Sequence, residues 1–154
     1  MAIFRYGMQN VLNIKEKLEE QEKQNFAMMR VRLTEEEEKL EALKARREQV
    51  ALEGKKMRED KIDILSIKEN TALASYIDEE IKGQRVKVMA AEKNLENARK
   101  RMQDAMQERK IHEKLRENAF EEFMKEEGIK EAKEIDELTS YVYGQKDEAR
   151  CSFL

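Results

Sequence analysis

Apolar residues recur every seven positions along the second half of the chain, and no proline interrupts any of its 154 residues. One series of large side chains consists of Ile81, Val88, Leu95 and Met102. A second series of smaller or polar residues lies between them and consists of Gln84, Ala91, Ala98 and Ala105. Steps of three and four residues keep a narrow stripe of one helix facing a partner helix. The pattern therefore predicts a coiled coil, whose alanines allow the partner backbone to come close.

The first half of the chain has a similar but less regular pattern. Val11, Ile14 and Leu18 are spaced three and four apart, and Phe26 follows eight residues after Leu18. That longer step predicts a slip in the phase of the stripe, which changes a supercoil locally without ending the helix. The acidic run 35–38 repels itself and indicates a solvated face, and a glycine at position 54 weakens the helix.

The reversal between the two halves is expected where the heptad rhythm breaks. β-Branched residues crowd together within 60–74, and Asn70 or Thr71 would then cap the second helix. The predicted fold class is all-α, a long two-helix antiparallel coiled-coil hairpin that places Val11–Leu18 near Leu115–Phe123. The predicted single domain, 1–154, consists of a helix at 8–63, a bend at 64–71, a helix at 72–138 and a frayed tail at 139–154.

Charge is balanced overall but uneven along the chain. The 31 basic and 34 acidic residues give a net charge of −3, which argues against a dedicated nucleic-acid binder. Residues 99–116 hold seven lysines and arginines against three acids, whereas residues 117–137 hold nine acids against three lysines. Both blocks fit a solvated helix face, and both also fit an electrostatic docking surface for a protein partner.

The sequence predicts a cytoplasmic protein without direct membrane insertion. No segment approaches the roughly 18 consecutive apolar residues of a membrane span, and Met1–Phe4 leads straight into charged helix without the pattern of a signal peptide. The single cysteine cannot form a disulfide framework. The segment Cys151–Leu154 formally matches a prenylation box, but Ser152 fits its aliphatic position poorly, and we interpret the match as coincidence.

No arrangement of residues points to catalysis, a cofactor or a metal. His112 is the only histidine, no cysteine or aspartate lies at ligand spacing beside it, and the heptad places it in the seam. Carboxylates are abundant, but acid–base catalysis needs a pocket that shifts their pKa values, and a two-helix coil provides none. The sequence also lacks a glycine-rich phosphate loop and zinc-ligand spacing. We therefore expect a non-enzymatic protein with neither catalytic residues nor cofactors.

A small apolar group lies close to the predicted bend. It consists of Tyr76, Ile77 and Ile81. Such a group either caps the end of the coiled coil or docks a partner, and the sequence favours neither.

Three stretches together resemble the FliJ family of flagellar export proteins. Residues 4–15 resemble the family's aromatic lead and helix start. Residues 108–116, followed by Phe120–Phe123, resemble its basic segment, and residues 131–137 resemble its acidic close. Their order and spacing cover nearly the whole chain.

The resemblance implies a stalk of the type III export apparatus at the cytoplasmic face of the inner membrane. Such a stalk sits in the hexameric export ATPase, promotes its assembly, contacts the export-gate membrane protein and helps to recycle export chaperones. The implied ring-facing residues are Val11, Ile14, Leu18, Arg109, Lys110, Leu115, Arg116 and Phe123. The implied gate-facing residues are Tyr76, Ile77, Ile81 and Gln84.

Two other functions fit the same helical pattern. One is a structural coiled coil that associates with itself, and the other is the central stalk of a different type III secretion system or of a rotary ATPase. A self-dimer needs a second unbroken seam, whereas a hairpin satisfies its own, so the predicted bend favours the hairpin.

Overall fold

Two long helices make up the fold. The computed structural model describes residues 2–59 and 61–151, which form α1 (Gln9–Glu59) and α2 (Ile64–Cys151). The described residues contain no strand, and the two helices pack against each other as a helical hairpin. The predicted fold class is therefore confirmed.

The chain divides into two compact units. The terminal unit combines residues 2–16 with residues 107–151, and the bend unit consists of residues 17–106. In the terminal unit the lead and the start of α1 contact a later part of α2, and in the bend unit the end of α1 contacts the start of α2, so the helices are antiparallel. In the bend unit, for example, Arg47 Nε lies 2.8 Å from the carboxylate of Asp78.

The core of the bend unit is the seam between the helices. Val50, Ile77 and Ile81 form a buried cluster against which further apolar residues pack, namely Leu40, Leu43, Leu73 and Ala74. Along α2 the predicted heptad stripe is buried at Ile81, Gln84, Val88 and Ala98 and half-buried at its other members. Burial of each valine, leucine or isoleucine side chain stabilises the fold by about 1.5–3 kcal/mol.

The helix α2 begins earlier than predicted, at Ile64 rather than after a bend over 64–71. Asp63 is its cap: the Asp63 carboxylate accepts hydrogen bonds from Leu65 N at 3.2 Å and from Ser66 Oγ at 2.8 Å. The bond from Leu65 N satisfies one of the backbone donors that the first turn of a helix otherwise leaves unpaired. The crowded isoleucines therefore lie at the start of α2, and α1 ends at Glu59 instead of residue 63.

Asn70, predicted as a possible cap, instead bridges the two helices. Its Nδ2 donates a hydrogen bond of 3.0 Å to the carbonyl of Val50 in α1. Its amide oxygen lies where a Cβ on Gly54 would be, so this close approach requires glycine at position 54. Gly54 is thus a packing residue of the seam and not simply a weak point of the helix. Thr71 donates to the carbonyl of Ile67 within α2.

The predicted phase slip in α1 does not occur. Leu12 and Glu19 are buried and precede Phe26 by two and one heptads, whereas Ile14 is 56% exposed and Leu18 is 42% exposed. The apolar spacing misled the prediction because Glu19, a charged residue, occupies a seam position. The carboxylate of Glu19 lies 3.0 Å from Lys23 Nζ, which compensates part of the cost of burying it.

The predicted frayed tail is helical as far as Cys151. Thr139 Oγ1 donates to the carbonyl of Ile135 at 2.7 Å, and Gln145 Nε2 donates to the hydroxyl of Tyr141 at 2.8 Å. The segment lacks a heptad period because α1 does not cover it. Its helical hydrogen bonds form without a seam. Residues 152–154, including most of the formal prenylation box, lie outside the described residues.

Two glycines allow a matched test of this packing. We expect Gly83→Ala to stabilise the chain by about 0.5–1 kcal/mol, because nothing lies within 4 Å of a Cβ at this helical position. Gly54→Ala should instead destabilise it by about 1 kcal/mol, because displacing Asn70 leaves buried polar groups unpaired. Thermal unfolding followed by circular dichroism measures both. Equal stabilisation by the two substitutions would contradict the Gly54–Asn70 contact.

Candidate functional site

The residues before α1 fold onto α2 in the terminal unit. The ring of Phe4 lies 5.2 Å from that of Phe120 in an edge-to-face arrangement and 5.4 Å from that of Phe123. Such aromatic pairs contribute about 0.5–1.5 kcal/mol each beyond the burial of their surface. Leu12, one turn into α1, is only 2% exposed. The lead therefore forms the apolar end of this unit.

An open cleft of about 430 Å³ lies beside these aromatic rings. Phe4, Leu12 and Phe120 supply its apolar surface. Its charged lining residues are Glu16, Glu113, Arg116 and Glu117. The rim carries three carboxylates and one guanidinium and is therefore acidic. The cleft favours a ligand in which an apolar group lies next to a cationic group.

Ion pairs join and brace the helices of the terminal unit. Lys15 Nζ lies 2.5 Å from Glu108 Oε2 across the two helices, and Arg109 lies 2.8 Å from Glu113 within α2. The hydrogen bond from Lys15, reinforced by the lysine's charge, lowers the pKa of Glu108 below its ordinary value. This carboxylate therefore stays charged in mildly acidic solution.

The eight implied ring-facing residues fall into two groups. Five are exposed, namely Ile14, Leu18, Lys110, Leu115 and Arg116. The other three are half-buried, and they are Val11, Arg109 and Phe123. Phe123 packs on Phe4 and so holds the lead on α2, whereas Arg109 pairs with Glu113 within α2.

The exposed members do not share one face. Lys110 and Leu115 are five residues apart in α2, which places them about 140° apart around the helix axis. Ile14 belongs to the terminal unit and Leu18 to the bend unit. The residues that the resemblance implies therefore do not form one continuous patch.

Three of the four implied gate-facing residues are in the core of the bend unit. Ile77, Ile81 and Gln84 are buried, whereas Tyr76 is 63% exposed. Of the two alternatives left open for this apolar group, the isoleucines cap and fill the seam. Tyr76 alone among the four offers a large surface to a partner.

Gln84 makes the main polar contact across the seam of the bend unit. Its Nε2 donates to the backbone carbonyl of Glu36 at 3.0 Å and to the carboxylate of the same residue at 2.5 Å. The bond from Gln84 is the largest cause that lowers the pKa of Glu36, and Lys39 and Lys87 add to the effect. Sequence reasoning missed this partner because Glu36 lies within the acidic run that was interpreted as solvated.

His112 is half-buried on the seam side of α2, as the heptad predicted. Its Nδ1, the Tyr6 hydroxyl and one carboxylate oxygen of Glu22 are buried without a hydrogen-bond partner among the described residues. Within residues 2–59 and 61–151, no group of histidine, cysteine, aspartate or glutamate side chains is arranged to hold a metal ion. In the same ranges, no helix is both long enough and apolar enough to cross a membrane.

The geometry defines a helical hairpin that offers surfaces for partners. Residues 4–148 match the family model described as flagellar FliJ protein. The chain therefore belongs to the FliJ family and is a coiled-coil protein of type III export. This confirms the family that the three sequence stretches indicated.

A solved structure shares the fold. It is that of CT670 from Chlamydia trachomatis, a proposed YscO homolog, and it superposes with a TM-score of 0.75 at 24% sequence identity. The alignment covers 95% of this chain and 99% of that one. No curated protein matches the chain significantly in sequence.

Two single substitutions test the electrostatics of both units. Gln84→Ala should raise the pKa of Glu36 toward the ordinary value of 4.5, and Lys15→Met should do the same for Glu108. Each substitution should leave the other carboxyl unchanged, and carbon-13 NMR titration of the carboxyls measures both. Because both pKa values are lowered on folding, these carboxylates stabilise the fold above pH 4.5 and lose that effect as the pH falls through their folded values. A carboxyl that does not respond to loss of its own partner would contradict the contact.

Proposed function

We propose that this chain is the stalk of a flagellar type III export apparatus. In this proposal it sits in the central hole of the hexameric export ATPase, promotes assembly of the ring, and links the ring to the export gate and the export chaperones. The observation that carries the proposal is the family match, which spans both helices from residue 4 to residue 148. The protein acts from the cytoplasm, peripherally at the inner membrane.

The terminal unit supplies the proposed ring-binding surface. Ile14 and Leu115 expose 56% and 46% of their surface on otherwise charged helices, and burial against a ring would remove that apolar surface from water. Lys110 and Arg116 are exposed cations of the same unit that can pair with carboxylates of a ring subunit. Leu18, the remaining exposed apolar residue of the implied set, belongs to the bend unit. Val11, Arg109 and Phe123 contribute by holding the terminal unit in shape.

The gate contact is proposed for the bend unit. Tyr76 combines a large apolar ring with a hydroxyl, a combination that is common at interfaces. It lies next to the buried Ile77, which fixes the backbone that carries it. Ile77, Ile81 and Gln84 support this contact from within the seam.

The proposed mechanism needs no chemistry from the chain itself. A stalk that binds the assembled ring more tightly than free subunits shifts the equilibrium toward the ring. The ATPase then turns over faster because its active form is more populated. A self-associating coiled coil is the alternative, but the polar and apolar seam residues of the bend unit are already matched within one chain.

Charge and apolar substitutions at the terminal unit test the ring contact. We expect the triple variant Lys110→Glu, Leu115→Ser and Arg116→Glu to bind the export ATPase about tenfold more weakly or worse, a loss of at least about 1.4 kcal/mol. Its stimulation of the ATPase rate should fall in parallel. Pull-down, and the ATPase rate with and without the variant, measure the two effects.

The matched controls carry the same kinds of change in the bend unit. Arg85→Glu with Lys93→Glu reverses two exposed charges, and Tyr76→Ser removes an exposed apolar group. Both controls should stimulate the ATPase like the wild-type chain, and Tyr76→Ser should weaken binding to the cytoplasmic part of the export gate. If the triple variant stimulates the ATPase fully while remaining helical, the terminal unit is not the ring-binding site.

A further inference from the structure

The last two dozen described residues of α2 form a helix that the rest of the terminal unit leaves uncovered. Every residue from 128 to 151 is exposed, whereas Phe123 and Glu127 just before them are half-buried. We call residues 128–151 the distal segment. Most helical stability in proteins comes from packing of an apolar face, so a partner that covers one face of this segment would stabilise it.

The distal segment has its own apolar stripe. Ile135, Leu138 and Val142 are spaced three and four apart and are 62%, 65% and 50% exposed. Met124, 53% exposed, precedes Ile135 by eleven residues, which is about three helical turns. Phe120, one turn before Met124, is 46% exposed at the cleft. Phe120 and Met124 therefore lie on the same face of α2 as the stripe, and Glu127 and Glu131 lie on that face between Met124 and Ile135.

This stripe is not a continuation of the intramolecular seam. Phe123 belongs to the seam, and Met124, one residue later, points about 100° away around the helix. Extending the seam heptad beyond Phe123 reaches Glu126, Lys130 and Lys133, which are all charged. A longer α1 would therefore not cover the stripe, and its occupant must approach from a different side.

The stripe is lined with carboxylates. Glu127, Glu131 and Glu134 lie within about 40° of Leu138 around the helix axis. Glu131 and Glu134 are exposed, and Glu127 lies 3.9 Å from Lys130. At the cleft end, Glu113 and Glu117 continue the same sign of charge. An occupant with basic residues beside its own apolar stripe would match this surface in both charge and hydrophobicity.

We propose that the face from the cleft through Leu138 to Val142 docks an amphipathic basic helix of a partner protein. The partner's apolar residues would cover Met124, Ile135 and Leu138, in the manner of a helix laid into a groove. Its lysines or arginines would meet Glu131, which lies within the stripe, and Glu134, which lies at one edge. A second copy running in the same direction fits less well, because these carboxylates would meet their own counterparts. Apart from Arg116, which also lines the cleft, the docking surface shares no residue with the ring-binding residues proposed above.

A synthetic helical peptide of about 20 residues, with leucines at heptad spacing and lysines beside them, is the probe. Binding to the full chain is measured by fluorescence anisotropy. We expect the basic peptide to bind the wild-type chain, and a counterpart with every lysine replaced by glutamate to bind at least about tenfold more weakly. Raising the salt from about 50 to about 500 mM should weaken binding of the basic peptide.

Variants on opposite faces locate the site. Ile135→Ser with Leu138→Ser should weaken binding at least about tenfold, whereas Ile129→Ser should change it by less than about twofold. Ile129 is a matched control because it is 58% exposed and lies about 180° from Leu138 around the helix. Glu131→Lys with Glu134→Lys should weaken binding similarly without removing apolar surface. Circular dichroism verifies that each variant keeps its helix content.

Three results would overturn the proposal. If Ile129→Ser weakens binding as much as the Ile135/Leu138 variant does, the peptide does not bind this face specifically. If the glutamate peptide binds as tightly as the basic peptide, charge does not contribute to recognition. If sedimentation shows that the wild-type chain is a dimer and that the Ile135/Leu138 variant is not, the face binds a second copy of the chain. These outcomes are independent of ring binding, since the distal variants should still stimulate the export ATPase.

Discussion

Polar contacts across the helix seam fix the register on which the rest of the bend unit depends. Gln84 donates to Glu36, and Asn70 donates to the carbonyl of Val50. A seam of only alanines and aliphatic residues could slide by one heptad at little cost, because one apolar side chain replaces another. With these contacts in place, a slide leaves the buried Gln84 amide and the half-buried Asn70 amide without their partners, at about 1–3 kcal/mol each. Polar seam residues are a known means of specifying one coiled-coil register.

With the register fixed, the side chains that lie outside the seam form the surfaces that are available to partners. In the bend unit, Tyr76 stands exposed beside a buried isoleucine. In the terminal unit, the aromatic lead closes one end, and an acidic cleft opens beside it. Beyond the cleft, α2 continues as a bare helix with an apolar stripe. In the proposed function, these surfaces hold the partners of the stalk in place.

The heptad pattern predicted much of the fold, and it failed in α1 where a charged residue lies in the seam. Ile81, Val88 and Ala98 are buried as predicted, since a long apolar repeat leaves little freedom for a helix pair. The seam of α1 was misplaced near Leu18 because a charged residue, Glu19, is buried there instead. Apolar periodicity cannot reveal a charged residue that a neighbouring lysine compensates.

Local capping and distant contacts limited the remaining predictions. Asp63 and Asn70 are both plausible caps by residue type, and only the contact of Asn70 with Val50 decides between them. The ring-facing residues follow from the resemblance to the family, which does not give the direction of each side chain around α2. The distal stripe was missed because its phase differs from that of the heptad.

The antiparallel pairing of α1 with α2 within one molecule is the central claim, and a distance between two spin labels tests it most directly. Glu48 and Glu79 are exposed residues of the bend unit on either side of the Arg47–Asp78 ion pair. In labelled chain diluted with unlabelled chain, the account predicts a separation of about 20 Å or less, since paired helices lie about 8–10 Å apart. A separation near 45 Å, as about 1.5 Å per residue gives for one continuous helix, would contradict it.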